Sequence, residues 1–126
     1  MTLRARWLAP LAGFFLLMIG IGSITGEANS LSDRFGDKWL HTLAYGFMSL
    51  LCFHALVARP LMRVLFTVAT IALLGIIDES LQSFLPYRNA SITDWCFDIG
   101  SAAIVATTLM LVDRLTSSTE SHAKNL

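Results

Sequence analysis

The sequence predicts an all-α membrane protein, with four transmembrane helices in an up-down bundle and both termini cytoplasmic. Three observations lead there. Only 14% of the 126 residues are charged and 55% are hydrophobic, whereas a soluble domain carries about 25% charged residues; mean hydropathy is +0.63. Apolar stretches of membrane-crossing length follow one another along the chain. The ionisable residues gather at the ends of those stretches, most densely at one end of the expected bundle.

The first apolar segment runs from Trp7 to Ile24, the second from Trp39 to Ala58, the third from Leu61 to Leu85 and the fourth from Trp95 to Val112. Each approaches the roughly 20 residues a helix needs to cross about 30 Å of hydrocarbon. Arg4 and Arg6 precede the first segment, and Gly26-Glu27-Ala28 follows it in the manner of a signal-peptidase site. Its apolar run exceeds the roughly 7–15 residues of a cleaved signal, so an uncleaved anchor is expected. Arg59-Pro60 breaks the chain between the second and third segments, Pro86 stops the third, and Ser91 or Asp94 can cap the fourth. Trp7, Trp39 and Trp95 stand at segment edges, where interfacial tryptophan is enriched. Residues 1–115 thus read as one membrane domain and 116–126 as a polar tail.

Basic residues orient the bundle. Arg4, Arg6, Arg59, Arg63, Arg114 and Lys124 fall on one side, and Arg34, Lys38 and Arg88 on the other. The positive-inside rule makes the richer side cytoplasmic, so the polar cluster faces outward. A net charge of zero argues against nucleic acid, which needs a basic footprint. Cys52 and Cys96 belong to different depths and read as small packing residues. Gly20, Gly22, Gly75, Ala102 and Ala103 permit close helix contacts and hence a homo-oligomer.

Helical spacing sorts the polar residues into stripes. Asp37, His41 and Tyr45 recur every fourth residue, with Lys38 flanking them. On the third segment Glu79 and Gln82 share a face, and Asp78 is offset from it by about 100°. Asp94 and Asp98 are four apart on the fourth. In a bundle these stripes would converge. Asp98 lies about one turn inside its span, where an unpaired charge costs at least a few kcal/mol, so it must be neutral, paired or wet. Simple neutralisation is also open: Lys38, Arg88 and Arg34 balancing Asp37, Glu79 and Asp94, with His41 a structural donor. Glu27 and Asp33 read as solvated loop residues. No compact metal-ligand motif is present and no cofactor is expected, although the surplus of acids could attract a divalent cation. Arg88, just beyond Pro86-Tyr87, is the candidate anion binder, since a guanidinium grips phosphate in bidentate fashion.

The run Asp78-Glu79-x-x-Gln82-x-Phe84-x-Pro86-x-Arg88-x-x-Ser91-x-x-Asp94 resembles the long signature of VanZ-like bacterial membrane proteins. Asp37-Lys38-x-x-His41-x-x-x-Tyr45 resembles their upstream signature, and the motif region spans 37–101. Two positions depart: Asp98 stands where asparagine is frequent, and Ser101 where glycine is. The resemblance implies a multi-pass protein of the bacterial cytoplasmic membrane. Because the founding member is associated with teicoplanin resistance, it also implies proximity to a lipid-linked cell wall precursor. It implies no defined biochemical activity.

Three functions follow as expectations. The first is binding of a lipid-linked anionic headgroup, with Arg88 and Lys38 on phosphate and Asp37, Tyr45, Gln82, Asp94 and Asp98 completing the site. The second is an enzyme acting on such a headgroup, with Glu79 or His41 as acid-base. The third is a small proton-linked transporter relaying through His41, Glu79 and Asp98.

Overall fold

The computed structural model describes residues 1–24, 36–86, 88 and 90–124. Glu27, Asp33, Arg34, the Gly26-Glu27-Ala28 stretch and Tyr87 lie outside the described residues, and so does the side chain of Asp37.

The described chain forms four helices: α1 (Ala5–Gly22), α2 (Asp37–Ala55), α3 (Pro60–Gln82) and α4 (Ile92–Lys124). Gly36 leads into α2 at φ +80°, a left-handed conformation that glycine adopts without strain. Pro60 opens α3 in the first turn, where a missing N–H removes no helical bond. Ser91 stands at the entry of α4 and its Oγ accepts from the Asp94 N–H at 3.4 Å, so Ser91 rather than Asp94 is the capping residue. Asp94 sits in the first turn, where a carboxylate complements the helix dipole.

Two short strands were not expected. β1 (Thr2–Leu3) pairs antiparallel with β2 (Leu56–Val57), and the Arg4 N–H donates to Ala55 O at 2.8 Å. The second apolar segment therefore leaves helical geometry at Leu56, short of Ala58. At the other extreme, α4 runs to Lys124 and takes in most of the expected tail. Hydroxyls of Thr116, Ser117, Ser118 and Thr119 bond back to carbonyls one turn earlier, which lets polar residues continue the helix.

Three helices, α1, α3 and the Ile92–Thr119 part of α4, are long and apolar enough to cross a membrane. Their exposed surface includes Leu16, Leu17, Leu65, Phe66, Leu73, Ile76, Ile104 and Leu111, while Asp98, Ser49 and Thr67 are fully buried. An apolar coat around a polar interior suits lipid as solvent, and the protein is membrane-embedded. α2, which carries Asp37, Lys38, His41 and His54, falls short of the apolarity of those three segments yet occupies the centre. It packs on α4, α1 and α3, whereas α1 leans chiefly on α2.

The buried faces follow helical periodicity. They read His41, Tyr45, Met48 and Cys52 on α2; Thr67, Ile71, Gly75, Asp78 and Gln82 on α3; Asp94, Asp98, Ala102 and Ala106 on α4. Each stripe is polar at one end and mostly apolar toward the other. At the apolar end Arg63 bonds Asp113 at 2.7 Å and Phe53 O at 3.1 Å, with its guanidinium 3.8 Å from the Phe53 ring centroid. Gly75 and Ala102, read above as residues for oligomer contact, are instead buried within the chain.

Candidate functional site

The polar ends of the α2, α3 and α4 stripes meet. His41 Nδ1 donates to Asp98 Oδ1 at 2.9 Å, and neither side chain exceeds 7% exposure. One turn along, the Tyr45 hydroxyl donates to Asp78 Oδ2 at 3.0 Å. The His41 and Tyr45 rings lie nearly parallel, with centroids 5.7 Å apart. α2 thus reaches α4 through its histidine and α3 through its tyrosine, both from one face. Of the states the sequence leaves open to Asp98, neutral, paired or wet, the structure shows it paired with His41.

Asp78 is the residue that helical spacing misplaced. It was set off the Glu79–Gln82 face, yet it is buried with Gln82 while Glu79 is only half-buried. The signal that could have found it is the stripe Ile71, Gly75, Asp78, Gln82. Gly75 decides the matter: a Cβ there would come within 2.8 Å of Trp95 and 2.9 Å of Asp98, so this face must turn toward α4. Trp95 fills the space and donates from Nε1 to Ala72 O at 2.9 Å. It packs between α3 and α4.

Glu79 stands at the rim. Its Oε2 accepts the Ser91 N–H at 2.5 Å, which ties the end of α3 to the start of α4. Its Oε1 is buried with no hydrogen-bond donor among the described residues. Arg88 forms no ion pair with Glu79 among the described residues; its Nη2 donates to Gln82 Oε1 at 2.9 Å, and its Nε is buried with no acceptor among them. Lys38, 55% exposed, lies 3.7 Å from Asp94. Of the neutralising pairs weighed from sequence, those of Arg34 and of the Asp37 side chain lie outside the described residues.

Two hollows flank this constellation. One is a cleft of about 210 Å³, walled by Phe14, Leu17, Met18 and Ile21 of α1 and by Leu40, Ala44, Leu81 and Leu85. Its polar lining is His41, Asp78, Gln82, Arg88 and Ser23. The other is a shallow depression beside Glu79, Ser91 and Trp95. A ring nitrogen of His41 and carboxylate oxygens of Glu79 and Asp94 lie within 4.8 Å of one another, a grouping that could hold a metal ion. No motif advertised it because its members come from three helices.

Protein-family models, curated proteins and solved structures were each compared with this chain, and none matches it.

Proposed function

We propose that this chain is a VanZ-like multi-pass protein of the bacterial cytoplasmic membrane that binds a lipid-linked anionic headgroup, with α2 as a fourth span and both termini cytoplasmic. The observation that carries this reading is the cleft beside α1. Its walls are aliphatic and aromatic, and its polar end presents Arg88, whose Nε has no acceptor among the described residues. An amphiphile matches that division, with its chain against α1 and α3 and its phosphate on the guanidinium. Gln82 holds Arg88 without cancelling its charge.

The test is binding of a lipid-linked sugar pyrophosphate to the purified full chain, followed by native mass spectrometry. Arg88→Ala is expected to abolish the complex while Arg114→Ala, at the opposite end, retains it. Equal affinity in wild type and Arg88→Ala would overturn the reading.

A second reading rests on the His41–Asp98 pair, in which a buried carboxylate orients an imidazole as in many general acid-base sites. In that case the headgroup is turned over, and product forms with wild type but not with Glu79→Gln or His41→Gln. Proton-linked transport receives less support: among the described residues the buried polar side chains past the His41–Asp98 and Tyr45–Asp78 pairs are Ser49, Thr67 and Ser101, set among Met48, Leu51, Cys52 and Ile71.

A further inference from the structure

We infer that His41, Glu79 and Asp94 bind a divalent metal ion of borderline hardness, Zn²⁺ or Mn²⁺. The inference does not depend on the headgroup reading. One imidazole and two carboxylates are the donors such ions take, and their candidate ligand atoms lie within 4.8 Å of one another. Ligand atoms on a common ion stand about 3–4 Å apart, so shifts of about an ångström would complete the set.

Two further features point to an ion rather than to a chance meeting of acids. His41 is only 6% exposed, and its Nδ1 is engaged by Asp98, while Nε2 has no hydrogen-bond partner among the described residues. This is the carboxylate–histidine arrangement that fixes a ligating imidazole and raises its basicity. Glu79 is held in the same way, with Oε2 on the Ser91 N–H and Oε1 buried without a donor. Two of the three ligands are thus oriented by a second contact, and each keeps one donor atom uncommitted. The charge balance agrees. Among the described residues Asp78, Glu79, Asp94 and Asp98 gather here, with Lys38 3.7 Å from Asp94 and Arg88 turned to Gln82. A buried excess of carboxylates needs a proton or a cation. Three protein ligands leave positions open for water or for an oxygen of a bound anion.

The experiment uses the full chain in detergent, stripped with EDTA and titrated with ZnCl₂ or MnCl₂ alone. Calorimetry follows both ions, and the Mn²⁺ electron paramagnetic resonance signal follows one. Wild type is expected to bind one ion per chain. Glu79→Gln, which keeps an oxygen for the Ser91 N–H, and His41→Gln should lose it. Asp98→Asn should weaken binding tenfold or more through the imidazole. Cys96→Ser should bind as wild type does, which separates the site from the exposed thiol. Failure of wild type to bind, undiminished binding by Glu79→Gln with its helical circular dichroism intact, or loss in Cys96→Ser would overturn the proposal.

Discussion

Tyr45 and Asp78 meet across the α2–α3 interface at 3.0 Å, with the tyrosine fully buried and the aspartate 6% exposed. Tyr45→Phe removes the donor and leaves a carboxylate oxygen facing apolar ring carbon. A loss of about 1–2 kcal/mol is expected, from the range for interhelical and charged hydrogen bonds. Thermal unfolding in detergent measures it. Asp78→Asn in the Tyr45→Phe background should cost much less than Asp78→Asn alone, because the two residues share one interaction.

Gly75→Ala should be among the most damaging conservative changes. The added methyl meets Trp95 at 2.8 Å and Asp98 at 2.9 Å, and neither side chain is free to withdraw. Overpacking of this kind costs about 1–3 kcal/mol. Tryptophan fluorescence should shift as the Trp95–Ala72 bond is strained, and an unchanged spectrum and melting temperature would contradict the packing described.

Lys38→Met tests the opposite extreme. A side chain 55% exposed and 3.7 Å from its carboxylate contributes under about 1 kcal/mol. The melting temperature should barely move, and a large drop would mean that Lys38 has a tighter partner in the membrane.

Gln82→Ala should leave the fold intact but release Arg88. One positioning hydrogen bond is worth about 1 kcal/mol, so affinity for an anionic lipid headgroup should fall about fivefold. Arg88→Ala should fall much further. Equal losses in the two variants would mean that Gln82 contacts the ligand itself.

Thiol labelling gives an independent check on the packing. Cys96 is exposed and Cys52 is buried between α2 and its neighbours. In detergent, maleimide should modify Cys96 alone until the protein is denatured, when Cys52 also reacts. Prompt labelling of Cys52 in the native state would contradict the central place of α2.

Much of this was legible in the sequence. Polar residues at helical spacing, all at one end of their segments, were enough to bring His41, Tyr45, Gln82, Asp94 and Asp98 together. What could not be read depends on contacts distant along the chain. Helical spacing alone does not say whether Asp78 or Glu79 points inward; the close approach of Trp95 to Gly75 does. The sequence offers Glu79 as the partner of Arg88, but the Ser91 amide has already claimed that carboxylate. The pairing of Thr2–Leu3 with Leu56–Val57 joins residues more than fifty apart, through two-residue strands too short to leave a pattern. The extent of α4 escaped because its hydroxyl-rich end reads as a tail until each hydroxyl is seen bonding its own backbone.

The central position of α2 bears on how the protein is made. Under the four-span arrangement, the helix least suited to lipid is the one on which the other three rest. Released by itself into a bilayer, it would carry Lys38, His41 and His54 with nothing to shield them. Only the short stretch from Leu56 to Arg59 separates it from α3. Biogenesis would therefore deliver α2 and α3 as a helical hairpin, with the stronger hydrophobic segment drawing in the weaker one. Mutations that lower the hydropathy of α3 would then show up first as misinsertion of α2, before any defect in the site itself.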